Sequence, residues 1–235
     1  MRSDAFGLLV IAPTKRELGG VHNQRARGVA TGIVGVGHGA GDALAGLLAR
    51  RRPTLVLSLG YAGGLAGGLA TGSLVVCGNC QDDQGADLGL DPDAAARAEQ
   101  ALEGAGIAHE TGALLTTAGP LLTPQAKGAA WEATGAACVD MEGLELARAA
   151  DAAGVPIVAV RAVLDGRAQE LPGMVGAIIA DGGRNEWLHA ARAVLSGPQR
   201  IPALVGLAGQ SRAAGAALER AAAVLVARLA PEVEE

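Results

Sequence analysis

The chain has 235 residues, of which 50% are hydrophobic and 18% are charged. This balance provides a large apolar core and excludes wholesale disorder. The net charge is −5 and no basic stripe is present, so the electrostatic footprint of a nucleic-acid-binding protein is missing. Aromatic residues make up only 2%, so we expect an aliphatic core in one domain over residues 1–235.

Cysteine content and the absence of a signal sequence favour a cytoplasmic protein. Three cysteines without a secretory signal are typical of a reducing compartment. Residues 53–81 carry no charge, which is long enough for a membrane span. The run begins at Pro53 and is rich in glycine, however, so it is predicted as strand, glycine loop and strand, with no membrane span.

In the first part of the chain, hydrophobic runs alternate with turn-forming residues. We predict strands over residues 6–12, 29–36, 54–59 and 74–77, a polar loop over 13–28, a helix that opens at 37–41 and runs to about Arg52, and a glycine loop over 60–72. Asp91 and Pro92 then form a helix start, because Asp is a good N-cap and Pro suits the first turn.

The second part repeats the alternation. We predict an acidic loop over 81–90, helices over 91 to Gly104 or Gly106, 124–134 and 142–153, strands over 107–117, 137–139 and 157–163, and a mainly helical remainder over 171–230 with breaks at Gly182-Gly183 and Gly197-Pro198. Strands that alternate with helices predict an α/β layered fold.

Two motifs that suggest a cofactor or metal are incomplete. Gly35, Gly37 and Ala40 resemble a dinucleotide-binding fingerprint, but residues 43–81 contain no acid for the ribose. Cys77 and Cys80 form a lone Cys-x-x-Cys, whereas a structural zinc needs four ligands. We therefore expect no metal, and a reduced, partly buried cysteine pair, with a zinc or redox role as the alternative.

Three acids stand at the ends of predicted elements. Glu17 follows the first strand, Glu142 opens a helix and Asp165 closes the strongest strand. Ligands of open α/β sheets bind outside the carboxyl ends of strands, so these acids are candidates for one crevice. Each acid taken alone is also explained as a solvated or capping residue.

Four segments carry a family resemblance, in the same order along the chain. They are Ser58-Leu59-Gly60-Tyr61-Ala62-Gly63-Gly64-Leu65, Gly72-Ser73-Leu74-Val75-Val76, Val139-Asp140-Met141-Glu142-Gly143 and Val160-Arg161-Ala162-Val163-Leu164-Asp165. Together they resemble the nucleoside phosphorylase/nucleosidase superfamily, in particular the 5′-methylthioadenosine/S-adenosylhomocysteine nucleosidase branch. The resemblance implies a single-domain, three-layer αβα fold with a central mixed twisted sheet.

Segments in the C-terminal part of the chain, which we call the tail, point to one subfamily. Residues 170–172, 181–184 and 196–204 look like the hopanoid-associated phosphorylases, a group linked to removing adenine from adenosylhopane. Futalosine hydrolase is a neighbouring possibility. The implied substrate is a purine nucleoside, with adenine as the expected base and an apolar 5′ substituent, and the implied assembly is a homodimer or higher homo-oligomer.

The resemblance also assigns roles residue by residue. Asp165 matches the general acid that protonates purine N7, and Glu17 matches the residue that orients the attacking water. Glu142 and Met141 match the ribose contacts. The nucleophile and sugar pocket is expected at Tyr61, Ala62 and Gly63, and the base contacts at the backbone of Leu121 and Leu122. No cofactor is implied, other than phosphate as co-substrate in a phosphorylase.

Several positions leave alternatives open. No arginine lies between Arg52 and Arg97, which favours water over phosphate as nucleophile, although Arg16, Arg25 and Arg27 keep phosphorolysis possible. The related hydrolases usually carry Ser where this chain has Tyr61 and Leu164. These departures, and the segment 118–120, motivate a second hypothesis, a non-catalytic nucleoside-binding protein.

Overall fold

A computed structural model describes residues 6–23, 28–172 and 201–230. Its strands are β1 (Phe6–Ala12), β2 (Val29–Ile33), β3 (Pro53–Gly64), β4 (Leu74–Gln81), β5 (Asp87–Gly89), β6 (Glu110–Thr116), β7 (Cys138–Asp140) and β8 (Ile157–Asp165). Its α-helices are α1 (Lys15–Leu18), α2 (Ala40–Arg50), α3 (Pro92–Gly104), α4 (Pro124–Thr134), α5 (Gly143–Ala153) and α6 (Ile201–Leu229), and a 3₁₀ helix covers Gly19–Asn23.

The strands form one mixed sheet. Their order is β2-β1-β3-β7-β6-β4-β5, and β8 pairs with both β3 and β4. The strands β3, β7, β6, β4 and β8 are therefore paired in a closed ring. Within it β3 runs parallel to β8 and antiparallel to β7. The predicted mixed central sheet is confirmed.

Helices cover both faces of the sheet. The side chains of β3 show this, because they point alternately into two different clusters of the core. Leu55, Leu57 and Leu59 pack into one cluster with α3 and α6. Val56 belongs to a second cluster, which contains α2 and α5. Because successive strand residues point to opposite faces, the sheet is buried on both faces between helices. The predicted three-layer α/β architecture is confirmed.

Turn and cap residues fix helix boundaries close to the predicted ones. Asp91 accepts a hydrogen bond from the N–H of Ala94 at 2.7 Å, and Thr123 accepts one from Ala126 at 3.2 Å. Each of these N-caps is followed by a proline in the first turn. Helix α4 ends at Gly135, whose φ of 66° is the left-handed conformation that glycine adopts without strain.

The predicted glycine loop over 60–72 is wrong in its first part, because residues 60–64 continue β3. They pair with β8 on one side, and Gly63 and Gly64 pair with β7 on the other. Glycine allows that crowding: a Cβ on Gly63 would lie 3.2 Å from Val139 Cγ1. Sequence alone reads glycines as loop residues, whereas here pairing on both edges keeps the backbone extended.

Other differences are smaller. The loop predicted over 13–28 contains α1 and the 3₁₀ turn, the acidic loop over 81–90 contains β5, and the second strand ends at Ile33. The predicted breaks at Gly182-Gly183 and Gly197-Pro198 lie outside the described residues. None of the described helices combines the length and hydropathy that a membrane crossing requires.

Candidate active site

The three candidate acids are all buried, each at the end of a strand or just beyond it. Glu17 lies on α1, directly after β1, and is 7% exposed. Glu142 occupies the N-cap of α5, directly after β7, and is 5% exposed. Asp165 is the last residue of β8 and is 3% exposed. Such burial is unusual for solvated or capping acids.

Glu17 is held by two donors. The hydroxyl of Thr14 donates to Oε2 at 2.6 Å, and the backbone N–H of Tyr61 donates to Oε1 at 3.0 Å. Burial raises the pKa of Glu17, although both hydrogen bonds and the nearby Arg161 act to lower it. Because the Tyr61 N–H belongs to β3, Glu17 is fixed against that strand.

Glu142 is held by the glycine-rich turn before α2. The N–H of Gly37 donates to Oε1 at 2.7 Å, and Gly37 adopts a φ of 80° that favours glycine. Burial and then the neighbouring Asp140 raise the pKa of Glu142 to about 8, against the lowering effects of Gly37 and Arg161. The protonated form therefore predominates at neutral pH. Met141 precedes it and is half-buried.

A buried ion pair that the sequence analysis missed lies beside these acids. Arg161, 1% exposed, donates from Nε and Nη2 to Asp140 Oδ2 at 3.0 and 2.9 Å. Asp140 also accepts from Thr116 Oγ1 at 2.9 Å and from the N–H of Gly143 at 3.0 Å. Burial acts to lower the pKa of Arg161, but Asp140 and other neighbours outweigh it and raise the pKa. An arginine inside the otherwise apolar β8 was the available signal.

Gly60 separates this ion pair from Glu17. A Cβ on Gly60 would lie 3.5 Å from both Arg161 Nε and Glu17 Oε1. The missing side chain therefore leaves space next to one carboxylate and one guanidinium. We call Glu17, Asp140, Glu142 and Arg161 the inner cluster. Its charges interact, since Arg161 lowers and Glu17 raises the pKa of Glu142.

Asp165 has a partner of its own, the fully buried Lys127 on α4. Lys127 Nζ forms an ion pair with Asp165 Oδ2 and also donates to the carbonyls of Gly166 at 3.1 Å and Gln169 at 2.8 Å. Burial raises the pKa of Asp165, and the hydrogen bond and charge of Lys127 act to lower it, with a net raised pKa. Sequence reasoning missed Lys127, because one lysine in a helix gives no sign of facing the core.

The three residues of the predicted nucleophile and sugar pocket, Tyr61, Ala62 and Gly63, contact different parts of the protein. Gly63 faces the general-acid candidate, since its Cβ would lie 3.7 Å from Asp165 Oδ2. Tyr61 packs with the α3 and α6 layer, where its hydroxyl lies 3.0 Å from the Cβ position of Gly215. Ala62 packs with the α2 and α5 layer. Gly60 thus borders the inner cluster, and Gly63 borders Asp165.

The predicted base contacts lie in the connection between β6 and α4. Leu121 and Leu122 are both half-buried, and the carbonyl of Leu122 accepts a hydrogen bond from the N–H of Leu171 at 2.8 Å. Within the described ranges, no hydrogen bond uses the N–H of Leu121 or Leu122. The hydrogen bond between Leu171 and Leu122 ties the connection to the segment that follows Asp165.

The cysteines are buried free thiols. Cys77, Cys80 and Cys138 lie in the core, and burial raises the pKa of Cys80. A raised pKa disfavours the thiolate that binds metals or exchanges disulfides. Over the parts of the chain that the structure describes, no group of three or more His, Cys, Asp or Glu residues is arranged to hold a metal ion.

Comparison with known proteins places this arrangement in a family. The model of the phosphorylase superfamily matches residues 14–195, which is most of the chain. The chain belongs to the phosphorylase superfamily. This confirms the predicted superfamily and the prediction of an enzyme. No curated protein matches the chain at the level of sequence.

Solved structures show the same fold in members of the nucleosidase branch. S-adenosylhomocysteine nucleosidase from Streptococcus pyogenes is 20% identical, with a TM-score of 0.63 over 75% of this chain and 89% of its own. The 5′-methylthioadenosine/S-adenosylhomocysteine nucleosidase from Neisseria meningitidis is 18% identical, with a TM-score of 0.66 over 91% and 97%. Futalosine hydrolase of Helicobacter pylori is 14% identical, with a TM-score of 0.63 over 68% and 88%. At these identities the likeness concerns the fold.

Proposed function

We propose that this member of the phosphorylase superfamily hydrolyses the N-glycosidic bond of a purine nucleoside and releases the free base. One observation carries the proposal. Glu17, Glu142 and Asp165 are buried acids with raised pKa values; Glu17 lies beside Gly60, Asp165 lies beside Gly63, and Glu142 follows strand β7, which pairs with Gly63 and Gly64. Strongly perturbed pKa values cluster at functional sites, so acids of this kind are candidates for acid–base chemistry.

Asp165 is the proposed general acid. Cleavage of the glycosidic bond moves its electron pair onto the base, which leaves as a poor anionic group unless it is protonated. A carboxyl whose pKa is raised by burial keeps its proton to higher pH and can give it to N7, and a positioned acid contributes about a hundred- to ten-thousand-fold. The raised pKa of Asp165 supports this role.

Glu142 and Met141 are the proposed ribose contacts. As the base departs, positive charge develops on the sugar ring, and a carboxyl oxygen near the hydroxyls stabilises it once ionised. Glu142 retains one oxygen that meets only the weak 3.4 Å contact from the Met141 N–H. That oxygen is available to a sugar hydroxyl, and the half-buried Met141 offers an apolar surface beside it.

Water is the proposed nucleophile, oriented by Glu17 in the space beside Gly60. Phosphate would need free cationic donors, since a dianion requires charge-assisted hydrogen bonds. Arg161, the guanidinium beside this space, is already committed to Asp140 and to the carbonyl of Ser58 at 3.1 Å. Arg25 and Arg27, which left phosphorolysis open, lie outside the described residues.

Adenine is the proposed base, and the proposed 5′ substituent is apolar. Support comes from the solved relatives, of which one is in complex with 5-methylthiotubericidin and another with methylthio-immucillin-A. Adenosylhopane is the narrower candidate, through the resemblance of the tail. Most of that tail, residues 181–184 and 196–200, lies outside the described residues. We further propose that the protein is cytoplasmic, forms a homo-oligomer and uses no cofactor.

The test is a nucleoside panel with two nucleophile conditions. The purified protein is incubated with 5′-methylthioadenosine, 5′-deoxyadenosine, adenosine and inosine, with and without phosphate, and free base and sugar product are quantified. We expect adenine and the free sugar, at equal rates in both conditions. A sugar 1-phosphate formed only with phosphate would establish a phosphorylase instead. Tight nucleoside binding without turnover would establish the non-catalytic alternative.

A further inference from the structure

Lys127 is the one lysine of the described residues that is withdrawn completely from solvent, and all its donors are used. An ammonium group has three hydrogens, and Nζ has three acceptors: Asp165 Oδ2, the Gly166 carbonyl and the Gln169 carbonyl. Gln169 in turn accepts from the N–H of Gly166 at 2.9 Å through its side chain. The ammonium is therefore fixed in direction as well as in place.

This arrangement makes the two oxygens of Asp165 unequal. Oδ2 is engaged by Lys127, whereas Oδ1 takes part in no hydrogen bond among the described residues. A Cβ on Gly63 would lie 3.7 and 3.9 Å from the two oxygens, so glycine leaves the β3 side of the carboxyl open. An incoming base therefore meets Oδ1 as the unoccupied oxygen.

We propose that Lys127 is a positioning residue for the reaction: it fixes Asp165 through Oδ2, directs Oδ1 at the base and stabilises the carboxylate that forms when the proton is transferred. The inference rests on the proposed function. In the step, the Oδ1–H bond breaks and an N7–H bond forms, while the glycosidic electron pair moves onto the base. The base leaves neutral, and Asp165 is left as a carboxylate beside the ammonium. The cationic sugar carbon C1′ forms a bond to the oxygen of the water that Glu17 orients, and that water gives up one proton to Glu17 or to solvent, so the sugar is released neutral.

Charge compensation is the physical reason for such a partner. A carboxylate formed in a buried site without a cation is strongly disfavoured, which would keep the proton on Asp165. Lys127 is the charged group that lowers the pKa of Asp165. The nearby Arg167 is directed elsewhere, because its guanidinium stacks 4.5 Å from the ring centroid of Trp131.

The test compares substrates that need an acid with one that does not. Nitrophenolate is a good leaving group and departs from a riboside without being protonated. Adenine is a poor anionic leaving group and needs protonation to depart. The wild type, Lys127→Met, Asp165→Asn and the double variant are assayed on 5′-methylthioadenosine and on 4-nitrophenyl β-D-ribofuranoside. We expect Lys127→Met to lose at least about tenfold in kcat/KM for adenine release and less than about threefold for nitrophenolate release, consistent with loss of acid catalysis.

Two further readouts separate positioning from structural support. In Lys127→Met the alkaline limb of kcat/KM shifts to higher pH, because Asp165 then loses its proton less readily. In the Asp165→Asn background, Lys127→Met changes adenine release little, since Lys127 acts through Asp165. Lys127→Met leaves Asp165 without its buried partner and could fail to fold. The double variant removes both charges, so its comparison with Asp165→Asn still tests the inference in that case.

Equal losses on both substrates, or an unshifted alkaline limb, would overturn the inference while leaving the proposed function intact. A full additional loss in the Asp165→Asn background would do the same. If the wild type releases no base from any nucleoside but the variants unfold normally, the proposed function itself has failed. Thermal unfolding of all four proteins accompanies the assays.

Discussion

At the scale of single residues, the pKa of Glu142 is set by interactions that oppose each other. The N–H of Gly37 favours its ionised form, but burial and Asp140 outweigh that bond and raise the pKa to about 8. An acid whose pKa is higher in the folded than in the unfolded state binds an extra proton when folded. The free energy of unfolding therefore falls as pH rises between the two pKa values.

We predict that Glu142→Gln removes this pH dependence. Relative to the variant, the wild type should lose on the order of 1 kcal/mol or more of unfolding free energy between about pH 4.5 and pH 8, and the difference should stay constant above that range. Urea unfolding at several pH values measures it. The exposed Glu132→Gln serves as the control, and a parallel pH profile for wild type and Glu142→Gln would contradict the assignment.

Glu17 has a different task in the proposed mechanism, and its replacement should show a different phenotype. We predict that Glu17→Gln lowers kcat for adenine release by at least about a hundredfold, because water is no longer activated, while nucleoside binding stays within about threefold. Calorimetric titration with adenine nucleoside and turnover assays measure the two quantities. Unchanged turnover would remove Glu17 from the mechanism.

At the element scale, the glycines of β3 determine where a small molecule fits. A Cβ at Gly60 would meet Arg161 and Glu17 at ordinary contact distance, so alanine fits there without displacing the backbone. It would fill the space that we assign to the nucleophile. Gly67 is the matched control, since a Cβ there meets nothing within 4 Å.

We predict that Gly60→Ala leaves the melting temperature nearly unchanged and lowers kcat/KM for base release by at least about tenfold, because proximity of the nucleophile is lost. Gly67→Ala should change neither quantity. Thermal unfolding and adenine release measure both. Full activity of Gly60→Ala would show that the nucleophile lies elsewhere.

The N-caps Asp91, which was predicted from sequence, and Thr123, which the structure shows, offer a paired test. Asp91→Ala and Thr123→Ala should each cost about 1 kcal/mol of unfolding free energy, as loss of a cap does. Only Thr123→Ala should also lower adenine release, because α4 carries Lys127 and α3 carries no proposed site residue. Urea unfolding and turnover assays test this. Equal effects on activity would show that α4 does not position the acid.

The sequence predicts features that depend on neighbouring residues, such as helix caps, and misses features that depend on long-range pairing. Caps and turns are local, so the helix over 124–134 was placed correctly and Asp91 was recognised. The extension of β3 through Gly60 to Gly64 depends on pairing with two strands that are distant in sequence, β7 and β8, which no local pattern contains. Acids at strand ends were identified because that position is itself a pattern.

The charged partners were missed for the same reason. Lys127 and Arg161 become site residues only when α4 and β8 fold against the loops and strands around them. Arg161 at least interrupts an apolar strand. Lys127 sits in a helix of mixed composition, where its direction is set by tertiary packing alone.

At the scale of the whole molecule, the closed ring of strands brings distant segments to one region. On β3, Gly60 borders the inner cluster and Gly63 borders Asp165, the partner of Lys127. The proposed chemistry is divided accordingly: the nucleophile and ribose at the inner cluster, the departing base at Asp165. The sheet holds both groups, since Asp140 belongs to β7, Arg161 and Asp165 belong to β8, and β3 pairs with both strands.

The most direct test of this division is adenine release from 5′-methylthioadenosine by the wild type and by Asp165→Asn, measured at neutral pH without phosphate. We predict steady release by the wild type and a loss of about a hundredfold or more in the variant, with its fold and nucleoside binding retained. Release by Asp165→Asn at the wild-type rate would contradict it.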